Sequence, residues 1–313
     1  MKVRRLGAIA IGSNSVRMLT ANLDETLSDP VRGRVETSLF LSMDEKKRFS
    51  EAGMERVAQA VRRLAEEAQE AGAQDLRLIA TSAMRDADNR TELDFYVATT
   101  SPVLINRIIS GEEEARLSFL AATSIPAREG LQGMVDIGGG STEVALGSAA
   151  EGIRYTRSLQ LGAARLLARQ EIVCLDTLQK ARAIAEQVLC EGLPHDLPRP
   201  HRWAMVGGTG TTLVNMLRGA QATDVPEDGS PLHKAEVEQW LHRLAPLSLV
   251  ERAQVPGLPQ ARVQIIVTGL CILLAVMDYL DIEVVHASLR NNLDGYLYRL
   301  YKSPQEDPDA PLD

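Results

Sequence analysis

The chain has 313 residues, long enough for two domains of ordinary size, and its 45% hydrophobic and 24% charged residues place it among soluble globular chains. A net charge of −8 argues against a generic nucleic-acid surface. It leaves anionic small molecules open, because backbone N–H groups hold phosphate without a basic surface.

The N-terminal stretch MKVRRLGAIAIG has basic residues ahead of an apolar segment, but that segment is short and runs straight into a polar turn, unlike a signal peptide. A cytoplasmic protein with no membrane partner and no DNA partner is expected. Residues 7–18, GAIAIGSNSVRM, read as a strand that breaks at Gly12, turns through Ser13, Asn14 and Ser15, and resumes at Val16. A loop around SDPVRGR follows, and residues 50–72 carry apolar positions at helical spacing up to Gly72. LRLIATSAM reads as a buried strand, FYVATTSPVLINRIIS as containing another, and SGEEEARLSFLAATSI as a helix start. From Gly133 a second hairpin begins. A helix over Leu175–Leu189 leads into a Pro-rich connecting loop with His195 and His201, and RWAMVGGTGTTLVNMLRG reads as strand, glycine turn, helix. Residues 233–280 look mostly helical, with VPGLPQ as a breaker. The apolar run Ile265–Met277, interrupted by Thr268, is too short for a bilayer and reads as a buried helix. The tail SPQEDPDAPLD is acidic and Pro-rich, and is expected to be disordered. Cys174, Cys190 and Cys271 lie far apart, and the five histidines show no HxxxH or HExxH spacing, so neither a disulfide framework nor a zinc site is expected.

An internal echo organises these elements. AIGSNSVRM (10–18) aligns with DIGGGSTEV (136–144), Ile11 on Ile137, Gly12 on Gly138 and Ser15 on Ser141, with apolar strands on both sides of each copy. Each copy is strand–turn–strand rather than the strand–turn–helix of a P-loop. A duplicated hairpin implies two similar α/β lobes facing one another across a cleft: residues 1–124, residues 125–302, and a disordered tail at 303–313.

Three turns rich in glycine and hydroxyls stand out: Gly12 to Ser15, Gly138 to Ser141, and Gly207 to Thr209. Glycine lets backbone approach a ligand, and successive N–H groups there form an anion-binding concavity. The third turn adds a helix N-terminus. One such turn is weak evidence; three favour phosphate binding. In ISGEEEARL, Ser110 as N-cap puts Glu113 at N3 of a capping box, and Glu112 serves the helix dipole, which leaves Glu114 as the carboxylate to direct into the cleft. Asp136 ends an apolar strand just before a glycine turn, where it either holds Mg²⁺ or its waters, or stabilises its own turn. Glu143 shares a strand face with Ser141 and, with Glu114, is placed to polarise water. Arg17 occupies the corresponding slot of the first hairpin, where a guanidinium grips phosphate, and Arg85 is a second such candidate or a surface arginine.

IGSNSVR, ATSAMRDADNR, ISGEEEARL, DIGGGSTE, SLQLGAARL and VGGTGTT, in this order and spacing, resemble the exopolyphosphatase/guanosine pentaphosphate phosphohydrolase (Ppx/GppA) family in its short form, from about residue 7 to about 300. The resemblance implies an actin-like (ribonuclease H-like), duplicated two-lobed α/β fold. It also implies hydrolysis of the terminal phosphate of inorganic polyphosphate or guanosine pentaphosphate, dependent on Mg²⁺ or another divalent cation, and a homodimer. It assigns Glu114 as the catalytic acid, and Asp136 and Glu143 as metal and acid/base carboxylates. Phosphate binding falls to Gly138, Gly139, Gly140 and Ser141, to Ser13, Asn14, Ser15 and Arg17, to Arg85, and to Gly207, Gly208 and Thr209. Departures matter too. Ala10 stands where the family's D-I-G-S-N-S has aspartate. SLRNN (Ser288 to Asn292) replaces G-L-R-E-G, keeping Arg290, and TSLFL replaces T-R-L-G. The readings are therefore an active phosphohydrolase; a catalytically weakened regulatory protein that binds polyphosphate or guanosine penta/tetraphosphate; and, disfavoured by Ala10, an ATP-dependent kinase or ATPase of the same superfold.

Overall fold

The structure, a computed structural model, describes residues 4–124, 128–148, 150–221 and 223–303. The chain divides into two compact units: residues 1–127 together with 290–313, and residues 128–289.

The first unit opens with the expected hairpin. β1 (Arg5–Ile11) turns at Gly12 into β2 (Ser15–Asn22), and β3 (Val31–Glu36) completes an antiparallel meander. Helix α1 (Glu51–Glu70) starts at Ser50, whose hydroxyl accepts from the Gly53 N–H, and its apolar stripe lies over the sheet. Then come β4 (Asp75–Ala80), the short α2 (Ser82–Asp86), α3 (Arg90–Thr100), β5 (Arg107–Ile108) and α4 (Gly111–Ser124). The strand order is β3-β2-β1-β4-β5, with β4 parallel to β1 and β5 parallel to β4.

The second unit repeats the plan with β6 (Gln132–Ile137), β7 (Thr142–Ser148), β8 (Gly152–Leu159), α5 (Ala163–Arg169), α6 (Leu175–Gly192) and β9 (Arg202–Val206). It continues with α7 (Gly208–Arg218), β10 (Pro231–His233), α8 (Lys234–Leu244), α9 (Leu249–Arg252), α10 (Ile266–Tyr279) and β11 (Val284–Ala287). Its order is β10-β11-β9-β6-β7-β8. Read outward from the hairpin, β8-β7-β6-β9-β11 reproduces β3-β2-β1-β4-β5, with β10 added at one edge. Helix α10, buried on nearly every face, is the centre of this unit's core. The chain then returns to the first unit as α11 (Asn292–Lys302), which packs on α4 and β1 through Leu293, Tyr296 and Leu297.

Two expectations differ from what the fold holds. VRGRVE, inside the expected loop, is β3. It is an edge strand whose charges blunt an exposed rim, so the alternation that marks a half-buried strand is absent. The strand expected within FYVATTSPVLINRIIS is present as Arg107–Ile108, while FYVATT itself belongs to helix α3. The closing helix, grouped by sequence with the second lobe, belongs to the first compact unit. The expected disordered tail, from residue 304 onward, lies outside the described residues.

Candidate functional site

Chemistry-bearing residues gather in each unit separately. In the first, the Gly12–Ser15 turn is closed by the Gly12 N–H donating to the Ser15 carbonyl at 3.0 Å. Its outer side is tied to the next loop. The Thr37 and Ser38 N–H groups donate to the Asn14 carbonyl, the Phe40 N–H donates to the Ser13 carbonyl, and the Asn14 amide donates to Glu36 Oε2 at 2.7 Å. Ala10 pairs across the hairpin with Arg17. It is 0% exposed and joins an apolar cluster with Leu19, Ile109, Leu117 and Tyr296. Where a carboxylate is expected, the structure has core.

Glu114 lies in the first turn of α4 and is 7% exposed. The Glu113 N–H donates to Ser110 Oγ at 3.0 Å, the N-cap half of the expected capping box. The Glu113 carboxylate instead takes a two-pronged ion pair from Arg107 at 2.9 and 2.6 Å. The Ser110 cap and the Arg107 pair are thus both made with Glu113. Arg85 Nη1 donates to Glu114 Oε2 at 3.1 Å and to the Ile109 carbonyl at 2.8 Å, while its Nη2 is buried with no hydrogen-bond partner among the described residues. A charged donor left this way is costly unless a ligand oxygen meets it. On the other side, Asn292 Nδ2 donates to Glu114 Oε1 at 3.4 Å, and Asn292 Oδ1 accepts from Arg17 Nη2 at 3.2 Å. Arg17, Asn292, Glu114 and Arg85 therefore form one continuous chain.

In the second unit, Asp136 and Glu143 sit directly opposite one another on β6 and β7, 6% and 1% exposed. Ser158 Oγ donates to Glu143 Oε1 at 2.7 Å. The Gly138–Ser141 turn repeats the first hairpin's closure at the same 3.0 Å, Gly138 N–H to Ser141 carbonyl. Its carbonyls are anchored by the start of α5. Ala163 donates to Gly138, Ala164 and Arg165 to Gly139, and Arg165 Nε to the Gly140 carbonyl at 2.5 Å. Gly162 is required there, because a Cβ would collide with the Gly139 and Gly140 backbone. Gly207, at φ 96°, brings the third turn against the second: a Cβ on it would stand 3.0 Å from Asp136 Oδ1. The first-turn N–H groups of α7 lack intrahelical partners, and no acidic side chain occupies that turn. The Thr209 hydroxyl packs toward Gly269, so what Thr209 offers an anion is its backbone.

Among the described residues no group of three or more His, Cys, Asp or Glu side chains could hold a metal ion. The donor set does fit an octahedral cation such as Mg²⁺, which keeps several waters and takes one or two carboxylates plus phosphate oxygens. Asp136 and Glu143 would hold it. Sequence reasoning missed two residues. Arg262 is a buried arginine whose guanidinium lies against Gly208 at the start of α7, and no local motif marks it. Asn292 lies within SLRNN, read only as a departure. The signal available for it was an amide replacing a glycine ahead of an amphipathic helix.

The sequence matches the Ppx/GppA phosphatase family over residues 21–303. Among solved structures it is similar to an exopolyphosphatase-like protein, with 25% identity, TM-score 0.89, and coverage of 98% of this chain and 100% of that one. It is also similar to the Aquifex aeolicus Ppx/GppA enzyme, at 24% identity, TM-score 0.76, and coverage of 95% and 99%. An exopolyphosphatase from Cytophaga hutchinsonii matches at 21% identity, TM-score 0.83, and coverage of 96% and 98%. The actin-like α/β fold is shared with these structures. No helix among the described residues is long and apolar enough to cross a membrane.

Proposed function

The chain belongs to the Ppx/GppA phosphatase family, and from that premise we propose that it hydrolyses the terminal phosphoanhydride of inorganic polyphosphate, of guanosine pentaphosphate, or of both. The observation that carries the reading is the Asp136–Glu143 pair, two buried carboxylates beside two glycine turns. Acidic groups and a phosphate chain repel unless a divalent cation lies between them. A bound cation would offset negative charge on the phosphate oxygens as the bridging bond breaks.

The protein's own contribution is positioning and electrostatics. The N–H groups of the Gly138–Ser141 turn and of α7's first turn would hold phosphate oxygens. In the first unit, Arg17 and the second nitrogen of Arg85 would offer guanidinium donors to phosphate. Glu114, its carboxylate fixed from both sides, would orient a water and take its proton as the water oxygen attacks phosphorus and the bridging oxygen leaves with the remaining chain. A second reading is supported by Ala10: with that carboxylate replaced by core, the chain would bind polyphosphate or guanosine penta/tetraphosphate and turn it over weakly or not at all.

Phosphate release from long-chain polyphosphate and guanosine pentaphosphate, with and without Mg²⁺, separates the readings. Release by the native chain that needs Mg²⁺ and falls at least about a hundredfold in Glu114→Ala supports the hydrolase. Release only from Ala10→Asp supports the binding protein. Near-native activity in Glu114→Ala removes Glu114 from its role.

A further inference from the structure

We propose that Asn292 is the positioning residue for Glu114 in this chain, an inference that rests on Glu114 acting on water as argued above. Asn292 is 0% exposed and is the first residue of α11. The helix does not need its side chain as a cap. That is supplied by Asn291, whose Oδ1 accepts from the Leu293 N–H at 3.1 Å and whose own N–H donates to Asp294 at 2.9 Å. The Asn292 amide is spent on the chain from Arg17 to Glu114.

Chemistry fixes which way that amide points. A guanidinium only donates and an ionised carboxylate only accepts, so Oδ1 must face Arg17 and Nδ2 must face Glu114. A primary amide meets both demands in one short side chain without adding charge. Aspartate would place a second carboxylate beside Glu114, a hydroxyl has shorter reach, and glycine offers nothing. The two hairpins give the reason for an acceptor here. In the second, the position opposite Glu143 holds Asp136; in the first, the position opposite Arg17 holds Ala10. Opposite Ala10, Arg17 donates to an oxygen of α11, Asn292 Oδ1.

Several charged groups lie on the elements around Glu114. Arg85 reaches it from α2, and Arg17 from β2 through the amide. Arg107 is engaged by Glu113 on α4, with Arg299 of α11 at 4.0 Å from the same carboxylate, and Arg32 of β3 pairs with Asp294 of α11. Asn292 is a neutral group in direct contact with the Glu114 carboxylate, so converting it to a charged one alters the Glu114 environment.

The test compares the native chain with Asn292→Asp and Asn292→Gly by two readouts: the acidic limb of kcat/KM against pH with polyphosphate, and the ¹³Cδ titration of Glu114 without substrate, assigned by Glu114→Gln. In Asn292→Asp, two neighbouring carboxylates share a proton, so limb and titration midpoint both move up by roughly one pH unit or more. In Asn292→Gly, loss of one donor to the ionised carboxylate raises the midpoint by a smaller amount and lowers kcat roughly tenfold. A role confined to packing would change melting temperature and leave both pH readouts in place, and that result overturns the proposal. Should Asn292→Asp not fold, an unmoved midpoint in Asn292→Gly overturns it equally. Should the native chain release no phosphate, the hydrolase reading fails alone, because the NMR titration still decides whether Asn292 sets the Glu114 environment.

Discussion

At Ala10 a single methyl group replaces the carboxylate that the second hairpin carries at Asp136, and it is buried in the same apolar cluster as Leu19, Ile109 and Tyr296. Restoring aspartate therefore sets burial of a charge against a new ion pair with Arg17 across the hairpin. Ala10→Asp is expected to lower stability to urea by about 1–3 kcal/mol. Adding Arg17→Ala to that variant should cost several kcal/mol more than Arg17→Ala costs the native chain. Additive losses would show that no pair forms. Gly207 is the second informative position. At φ 96° and against Asp136, it tolerates no Cβ without strain. Gly207→Ala should lose about 1–2 kcal/mol and raise the Mg²⁺ concentration needed for half-maximal activity.

Among the elements, β11 carries a built-in acid sensitivity. His286 is half-buried, with Nδ1 at 3.3 Å from the Trp203 carbonyl, and burial, with Arg202 adding to it, holds its pKa below the usual value of 6.5. The folded chain keeps this ring neutral while the unfolded chain protonates it, so stability is full above about pH 6.5 and declines as pH falls below that value. His286→Gln should flatten the slope of unfolding free energy between about pH 6.5 and 5.5. Helix α10 gives a complementary case. Burial pushes the Cys271 thiol up to about 12, whereas Cys174 and Cys190 are exposed. A thiol reagent at neutral pH should label those two rapidly and Cys271 only after unfolding.

The hairpins β1–β2 and β6–β7 were legible because the glycine and serine of each turn are local and repeated, and Asp136 and Glu143 stood out as candidates because strand alternation puts them beside a turn. Glu114 followed from helix capping. The outer strands β3 and β8 were not, since partly exposed strands with charged residues carry weak periodicity. The role of Asn292 was hidden for another reason. Its partner Glu114 is 178 residues away in the chain, and no short window of sequence contains both.

For the whole molecule, the division of the chain matters more than any one contact. The first unit is discontinuous, made of residues 1–127 and 290–313 around a continuous second unit at 128–289. Leu293, Tyr296 and Leu297 of α11 are buried in the first unit's core. At about 1.5–3 kcal/mol each, deleting residues 290–313 should remove roughly 5–9 kcal/mol, comparable to the whole stability of a domain. A 1–127 fragment is expected to bind a dye sensitive to exposed apolar surface and to lack a cooperative melt. A 128–289 fragment should melt cooperatively. A cooperative 1–127 fragment would show α11 to be dispensable.

The same discontinuity sets a timetable during synthesis. When Glu114 leaves the ribosome, Arg85 is already available, but Asn292 has yet to be translated, with the whole second unit in between. The nascent first unit must wait, its apolar seat for α11 uncovered, while the second folds. Translation thus joins completion of the first unit's core to arrival of the amide beside Glu114. A polypeptide broken off before residue 292, or clipped there later, forfeits both together.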